Sequence, residues 1–522
     1  MDERAAASAV EWVDFSPEAF ERAEAEDCPL VLSVTTPWCE WCRRMDETTY
    51  GDPRIAGHLA DGFVAVRVDG DRFPRVRERY NAGGFPSTVF LTPDGEILTA
   101  AGHLEPDEMR QVLTRVRETW RTEGREAGQV PRALREDPPA GPVDERIARL
   151  IAGQVTEQYD EEFGGWGTEA KFPLPRTVEF ALKRDRARAL GALRAANESL
   201  QSSTGGFGRY AASRDWSDAQ TETLLDAHAG MVRANANAYL VAGEAAFREA
   251  ATDGVAYLRE TLAVDGGFGG SESENGVDAT VFADRNARVA DACLTLYAYT
   301  DSEAALAAGK RALEGVDALT ESSTLPAHYG GAPAYERESL ADAAATLRAF
   351  TTAAQVLNPT YAERAAELAD AMVDALRDGD SFLDGPRSGP GLLSRPLRPL
   401  DDNATVANAL IDLSYLCGEP SYRETAHDTV GAFAGAAERV GVQVAGYGTA
   451  AARVVTPPLR IRVTDGAGSD LHRAALRLAD HEKVVVPDAD GPDGTARIET
   501  ADGEFGPAGT PAALADLVAE HA

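Results

Sequence analysis

The sequence predicts a multidomain chain in three parts: an α/β domain over residues 1–120, an all-α array of helical hairpins over 143–453, and a small α/β segment over 454–522. Three observations carry that prediction. Strand and helix patterns alternate through the first 120 residues, one apolar helical stripe then recurs at intervals of 58, 56 and 61 residues, and strand patterns return after residue 453. The order of the patterns sets the class of each part, and a fixed repeat length is the mark of a repeated supersecondary unit.

The N-terminal part opens its sheet with the apolar run Pro29-Leu30-Val31-Leu32-Ser33-Val34-Thr35. Phe63 to Asp69 alternates with period two, and Ser87-Thr88-Val89-Phe90-Leu91-Thr92 reads as a third strand. Pro93-Asp94-Gly95-Glu96 has turn chemistry and leads into Ile97-Leu98, while helical stretches fall near 17–26, 40–50 and 105–120. A polar segment at 121–142, with Pro131, Pro138, Pro139, Gly141 and Pro142, is a linker.

Beyond the linker, Phe247, Ala251, Val255 and Leu258 define a stripe at offsets 0, 4, 8 and 11. Ala305, Gly309, Leu313 and Val316 repeat it, as do Tyr361, Ala365, Ala369 and Met372, then Tyr422, Ala426, Val430 and Phe433. Each stripe follows a short turn (Gly243-Glu244, Asp301-Ser302, Asn358-Pro359, Gly418-Glu419-Pro420), so one period holds a helical hairpin. Eleven to twelve helices fit between 143 and 453. That count suits a closed (α/α)6 toroid, which has no exposed ends to cap, with an open helical array as the alternative. In the tail, 459–463 and 483–486 read as strands flanking a helix near 470–479, followed by a turn-rich stretch and a helix near 511–520.

Composition narrows the partners. Lys plus Arg number 51 against 85 Asp plus Glu, a formal charge of −34 spread along the chain. A nucleic-acid binder neutralises phosphates with a basic surface, so that class is excluded. Only four basic residues are lysines: Lys171, Lys183, Lys310 and Lys483. An acidic surplus costs stability through self-repulsion that concentrated salt screens, which points to a halophilic, haloarchaeal-type cytoplasmic protein, with an ordinary acidic protein from a GC-rich bacterium as the alternative. The charged start Met1-Asp2-Glu3-Arg4 is unlike a secretory leader, and no run of about 18 apolar residues occurs to cross a membrane. Five cysteines, odd in number and scattered except for one pair, point to a reducing compartment.

That pair carries the strongest chemical signal: Trp38-Cys39-Glu40-Trp41-Cys42-Arg43-Arg44. A Cys-x-x-Cys that follows a buried strand and opens a helix sets the first thiol among unpaired N–H groups, where thiolate is favoured. The second thiol can then resolve a mixed disulfide formed at the first. Arg43 and Arg44 add positive potential; Glu40, Asp46 and Glu47 oppose it. A metal site would need two further ligands, and His58 and His103, the histidines of this part, lack zinc-finger spacing. Two inert structural cysteines are the third reading.

The segment resembles a thioredoxin-like domain, with strand, Trp-Cys-x-x-Cys and helix, then Gly83-Gly84-Phe85-Pro86-Ser87-Thr88 before the next strand. The resemblance implies a cis Pro86 facing the dithiol. More specifically, the chain resembles the spermatogenesis-associated, thioredoxin-domain family, in which a thioredoxin-like domain of unknown function precedes a six-hairpin toroid like that of the N-acylglucosamine 2-epimerases. The matching residues are Trp38-Cys39-x-Trp41-Cys42-x-x-Met45, Val68-Asp69 with Arg72 and Pro74, Gly83 to Pro86, and Phe90-Leu91-Thr92-Pro93-Asp94-Gly95. Phe163-Gly164-Gly165-Trp166, Lys171-Phe172-Pro173, Gly205-Gly206-Phe207 and Asp215-Trp216 follow in the toroid.

Toroids of this type resemble glycosidases and epimerases, whose chemistry needs a paired acid and base. Candidate acids are Glu169, Asp215, Glu222 and Asp284. The loops Gly164-Gly165-Trp166, Gly205-Gly206-Phe207 and Gly266-Gly267-Phe268 either form a sugar-stacking rim or make tight turns with aromatic plugs. Where the family carries Pro-His-x-Glu-Lys, this chain has Ala219-Gln220-Thr221-Glu222-Thr223, keeping the glutamate without the histidine or lysine. His228, alone on its helix, reads as structural. The tail stretch Ala501 to Pro507 lacks the cysteine many members carry, and Cys28, Cys293 and Cys417 read as buried small hydrophobes.

Together these features predict a thiol–disulfide redox protein. Cys39 attacks, Cys42 resolves, and Trp38, Trp41, Arg43 and Pro86 surround the dithiol. The toroid recruits or shields a client whose disulfide, or a redox partner, is the reactant, and no metal or cofactor is required. A carbohydrate-active or sugar-binding toroid with a regulatory thioredoxin-like domain, taking a small carbohydrate, is the alternative; a non-catalytic scaffold is another.

Overall fold

The computed structural model describes residues 8–320 and 324–521, so Met1-Asp2-Glu3-Arg4 lies outside the described residues. The chain forms two compact units. The first holds the N-terminal 137 residues together with 331–337 and 384–397; the second holds the remainder.

The first unit is a five-stranded sheet flanked by helices, built in the order β1 (Val13–Asp14), α1 (Pro17–Glu26), β2 (Leu30–Thr35), α2 (Glu40–Thr48), α3 (Pro53–Ala60), β3 (Val64–Asp69), α4 (Pro74–Tyr80), β4 (Ser87–Leu91), β5 (Ile97–Ala101) and α5 (Pro106–Glu123). The strand order is β1-β3-β2-β4-β5, with β1, β3 and β2 parallel and β4 and β5 antiparallel to their neighbours. Both faces are covered, as the unbroken apolar run in β2 requires. Leu30, Leu32 and Val34 pack with Phe15 and Tyr80 on one side; Val31 packs with Met45, Phe90 and Met109 on the other. Helices α3 and α4, which were not expected, are short and begin at Pro53 and Pro74, the first-turn position that proline favours.

The distant segments 331–337 and 384–397 join this unit through α4. Asp384 accepts hydrogen bonds from Arg75 Nε at 3.1 Å and from Arg79 Nη1 and Nη2 at 2.6 and 3.0 Å, and Arg79 Nε donates to Leu392 O at 2.8 Å. All three charged side chains are buried, and Leu392 and Leu393 enter the apolar cluster of Phe15 and Leu32.

Among the described residues, twelve helices of the second unit form a ring. Six lie inside: α7 (Pro175–Arg184), α9 (Leu225–Ala242), α11 (Ala283–Thr300), α13 (Leu340–Val356), α15 (Leu400–Cys417) and α17 (Gly446–Val455). Each inner helix packs against the next, and α17 packs back against α7, so the ring closes. Outside lie α6 (Glu145–Glu157), α8 (Arg186–Leu200), α10 (Ala245–Tyr257), α12 (Glu303–Thr320), α14 (Thr360–Leu376) and α16 (Pro420–Gly431). Closure pairs the two ends of the ring, because the first outer helix α6 makes its hairpin with the last inner helix α17. The four repeated stripes are the inward faces of α10, α12, α14 and α16. Inner helices are crowded on both flanks, and their abundant alanines, such as Ala343, Ala344 and Ala345 of α13, permit that approach.

After the ring come α18 (Asp470–Leu476), α19 (Pro511–His521) and a four-stranded sheet. Strand Arg460–Val463 is parallel to Val484–Val486 and antiparallel to Ala496–Thr500, which pairs with Gly503–Ala508. The stretch read as turn-rich therefore contains a β-hairpin, its turn at Ala501-Asp502. This segment closes the end of the ring formed by the inner-helix C-termini. Arg184 Nη1 donates to Glu482 at 2.7 Å, and the Val485 N–H donates to Gln355 Oε1 at 2.9 Å.

Candidate functional site

The dithiol sits where β2 gives way to α2. Cys39 caps α2 with extended backbone angles, and its Sγ accepts a hydrogen bond from the Cys42 N–H at 3.0 Å. Cys39 and Cys42 are joined in a disulfide. Their surroundings are built from four directions. Trp38 is buried, with its indole N–H donating to Asp71 Oδ2 at 2.8 Å and its ring edge-on to Phe85 at 5.4 Å. The Phe85–Pro86 bond is cis, as the resemblance implied. The loop before it is held by Asn81 Oδ1, which accepts from the N–H groups of Gly83 and Gly84 at 2.6 and 2.8 Å, and by Ser87 Oγ, which accepts from Ala82 N at 2.8 Å. Met45 anchors α2 in the core, and Asp46 on the same helix pairs with Arg67 of β3, whose guanidinium lies over Trp12 at 4.5 Å.

Exposure around the disulfide is uneven. Cys39 and Cys42 are 4% and 2% exposed, whereas Trp41 between them is 51% exposed. Trp41 packs edge-on to His103 at 5.1 Å, with Arg44 over its ring at 5.2 Å, so a large apolar side chain stands on the surface beside two shielded sulfurs. Arg43 is half-buried and has partners within the unit.

Comparison with known proteins bears on this domain first. The family model described as Thioredox_DsbH, a protein of unknown function, DUF255, matches residues 3–136. Thioredoxin-1 of Drosophila melanogaster is 30% identical over 78 residues, which are 15% of this chain and 70% of that protein. The N-terminal domain belongs to the thioredoxin family. Spermatogenesis-associated protein 20 of Homo sapiens is 29% identical over 365 residues, 62% of this chain and 45% of that protein, so the chain spans about half the length of the curated relatives it matches. Among solved structures, a sugar epimerase from a ruminal bacterium is similar at 14% identity and a TM-score of 0.46, covering 54% of this chain and 84% of that one.

The four acids singled out in the helical unit do not converge. Glu169 is exposed. Asp215 is exposed as well, and hydrogen bonds from Ser217 Oγ at 2.6 Å and Ser217 N at 3.1 Å hold its carboxyl below the usual range. Glu222 has Arg209 as its nearest cation, at 3.8 Å. Only Asp284 joins a cluster, and it does so at the N-terminus of α11. Its N–H donates to Asp342 Oδ1 at 3.0 Å, and His328 Nδ1 lies 2.9 and 3.0 Å from the Asp342 oxygens. Burial and the Asp342 charge push the Asp284 carboxyl up. These three are the one group among the described residues whose donor atoms are spaced to hold a metal ion.

The glycine-aromatic loops are plugs. Trp166, Phe207 and Phe268 are buried, Trp166 donates from Nε1 to Val155 O at 2.9 Å, and Trp216 donates to Phe163 O at 3.0 Å. Asp160 accepts from Lys171 Nζ and Arg214 Nε, both at 2.8 Å; burial pushes its carboxyl up, and these two cations outweigh that and hold it well below the usual range. A second device repeats around the ring. The fourth residue of an inner helix clamps the backbone of a buried phenylalanine: Asn286 pairs with Phe268 N and O at 2.9 and 3.0 Å, Asn403 with Phe382 at 2.8 and 3.0 Å, and His228 Nδ1 accepts from Phe207 N at 3.3 Å. His228 Nε2 faces Gly254 O at 2.9 Å, which fixes the proton on Nε2.

Charged residues lining the ring interior were missed by sequence reading. Glu179, Arg233, Asp291, Arg348, Asp412 and Arg453 come one from each inner helix and alternate in sign. Each pairs with the next: Arg233 with Glu179, Arg233 Nε with Asp291 at 2.8 Å, Arg348 Nε with Asp291 at 3.6 Å, Arg348 Nη1 with Asp412 at 2.8 Å, and Arg453 with Asp412. The six line a cavity of about 210 Å³ that none of the four expected acids reaches. Their spacing of 54, 58, 57, 64 and 41 residues was the available signal, visible only once inner helices are told from outer ones.

The remaining cysteines are separate from this chemistry. Cys293 is buried, and burial pushes its thiol up to about 12. Cys28 is half-buried. Cys417, expected in a core, is exposed at the end of α15, because the helix stops there at Gly418.

Proposed function

We propose that this chain is a thiol–disulfide redox protein working through Cys39 and Cys42. The observation that carries the reading is the helix-capping disulfide: one sulfur accepts an N–H bond at the start of α2, and the partner sulfur is bonded to it. A negative charge on Cys39 Sγ is stabilised by that N–H and by the helix terminus. In the reducing direction, the Cys39 thiolate attacks one sulfur of a client disulfide, a Cys39–client bond forms, and the other client sulfur leaves as thiolate. The Cys42 thiolate then attacks Cys39 Sγ and releases the second client thiolate. The client gains two electrons and the protein is left with the disulfide seen here. Run backwards, the same exchanges oxidise a client dithiol. Exposed Trp41 offers the docking contact, and the helical unit recruits or shields the client. Within the ring, burial keeps the Cys293 thiol protonated. The acidic surplus and the scarcity of lysine support a salt-adapted, cytoplasmic setting.

The test equilibrates the full chain in glutathione buffers of graded ratio in molar KCl, quenches with an alkylating agent, and follows insulin disulfide reduction alongside. A reversible two-electron couple is expected, with reduction abolished in Cys39→Ser and a trapped mixed disulfide in Cys42→Ser. Absence of a couple, or reduction that survives Cys39→Ser, overturns the reading.

A further inference from the structure

We propose that Lys483 is a nucleophilic amine on the wall of the ring cavity, where it forms an imine with a short-chain, uncharged aldehyde. The inference is independent of the dithiol and rests on where the chain keeps one of its four lysines and on what surrounds it.

Lys483 lies just ahead of the tail strand Val484–Val486. That strand is fixed by the Val484 N–H, which donates to Leu459 O at 2.9 Å, and by the Val485 N–H on Gln355. The Lys483 side chain is buried and lines the cavity, with Nζ 5.5 Å from the centre of the ring of Tyr299, another wall residue. The acids beside it in sequence are engaged elsewhere: Asp480 receives Lys183 Nζ at 2.8 Å, and Glu482 receives Arg184 Nη1 at 2.7 Å. Among the described residues no carboxylate pairs with Lys483, and its Nζ donates instead to two backbone carbonyls, Leu478 O and Asp480 O, both at 3.0 Å. An ammonium has three protons to place and an amine has two, so these carbonyls satisfy the amine in full and leave its lone pair free. Burial pulls the group down to about 7, with Lys183 assisting and Asp480 opposing.

Charge and composition point the same way. Five arginines and five carboxylates line the cavity, and burial holds the imidazole of His481 down, so the wall is neutral without Lys483 and would carry a positive surplus with its ammonium. The chain meets nearly every need for a cation with arginine. Of its other lysines, Lys171 is the buried partner of Asp160, Lys183 pairs with Asp480, and Lys310 is exposed. Arginine keeps its proton in proteins, so an amine nucleophile is a task that lysine performs and arginine does not. The Lys483 lone pair attacks the carbonyl carbon and the C=O electrons move to oxygen. The carbinolamine then loses that oxygen with the two amine protons as water, leaving a C=N bond with no net oxidation or reduction. A neutral wall favours an uncharged carbonyl compound. The cavity of about 210 Å³ equals the liquid volume of roughly seven waters at about 30 Å³ each, and Ala298, Val356, Leu476 and Val485 supply apolar contact, which suits an aliphatic aldehyde of a few carbons.

The test treats the full chain with butanal and sodium cyanoborohydride and follows butylation of each lysine by peptide mapping. At about pH 7 half of Lys483 is free amine, against roughly one part in 2,500 of an ordinary lysine at about 10.4. Lys483 is therefore expected to be labelled at least about tenfold faster than exposed Lys310, with a rate that titrates around neutrality and a preference that disappears in denaturing urea. Lys483→Met should abolish that label and leave far-UV circular dichroism and the Cys39–Cys42 couple unchanged. The bulky 1-pyrenecarboxaldehyde should leave Lys483 unlabelled. Four results overturn the proposal: labelling of Lys483 no faster than of Lys310, a rate that titrates only in the range of an ordinary lysine, a preference that persists in urea, or labelling by the bulky aldehyde as fast as by butanal. If Lys483→Met fails to fold, the wild-type pH profile and the urea comparison decide.

Discussion

Replacing Asp291 with asparagine is expected to destabilise the helical unit by about 3 kcal/mol. Asp291 lies on α11 at the centre of the alternating ring, where it faces Arg233 Nε at 2.8 Å and Arg348 Nε at 3.6 Å and accepts from Thr352 Oγ1 at 2.6 Å. Burial pushes its carboxyl up, but the two arginines outweigh that and hold it below the usual carboxylate range. Removing one member of a buried pair costs about 3–5 kcal/mol, because the partner charge stays desolvated without compensation. Here each arginine keeps a second acid, Arg233 its Glu179 and Arg348 its Asp412, which places the loss at the low end. The assay is urea unfolding followed by far-UV circular dichroism at fixed salt, urea being uncharged. In an Arg233→Met, Arg348→Met background the same Asp291→Asn change should cost under about 1 kcal/mol, since no charge is then stranded. A loss below about 1 kcal/mol in the single variant, or equal losses in both backgrounds, would refute the account of the ring as mutually dependent pairs.

Other expectations follow from buried groups with defined partners. Burial holds the His228 imidazole down at about 4, so between pH 6.5 and 4 the unfolded chain takes up a proton that the folded chain refuses. Stability is therefore full above pH 6.5 and falls by about 3 kcal/mol as pH drops through that window, at about 1.36 kcal/mol per unit. His228→Asn should keep the clamp, as Asn286 and Asn403 do in sister repeats, and remove this part of the pH dependence in urea melts at pH 7 and 4.5. Gly165→Ala should cost at least about 2 kcal/mol by thermal melting: φ is +71° there, and the added Cβ would come within 2.7 Å of Trp216. Asp384→Asn strands Arg75 and Arg79, so the N-terminal unit should lose about 3–5 kcal/mol and residues 384–397 should become the first site of limited proteolysis. Raising KCl from 0.1 to 2 M should raise the melting temperature of the whole chain, as the −34 surplus is screened; no rise would remove the charge argument for salt adaptation.

Much of this architecture was legible because it depends on local pattern. Period-two alternation in Val64–Asp69, the apolar run in Leu30–Thr35 and the Cys-x-x-Cys at a strand-to-helix junction each imply their structure within a few residues. The stripes led by Phe247, Ala305, Tyr361 and Tyr422 exposed the outer helices, whose single buried face leaves a strong periodic mark. Inner helices leave no such mark. Buried on several sides, α13 has no polar stripe against which Arg348 would look misplaced. The hairpin Ala496–Thr500 with Gly503–Ala508 was hidden for a different reason, since Gly503, Gly506 and Pro507 read as turn residues rather than strand.

The same asymmetry explains why the expected acids and the cavity acids are different sets. Glu169, Asp215 and Glu222 stood out because they border glycine-aromatic motifs, yet those motifs are packing devices: Gly165 admits Trp216, and Lys171 and Arg214 are both spent on Asp160. An acid beside such a knot sits at its rim, in solvent or against one distant arginine. Asp226 and Asp291 border nothing distinctive in the chain, and only the packing of α9 against α11 brings them near Arg288 and Arg233. In a sequence with 85 acids, a carboxylate gains meaning from the cation it faces across the ring rather than from its neighbours along the chain. The dithiol escapes that rule, because its two sulfurs, their capping N–H and the exposed Trp41 all fall within a single turn of α2.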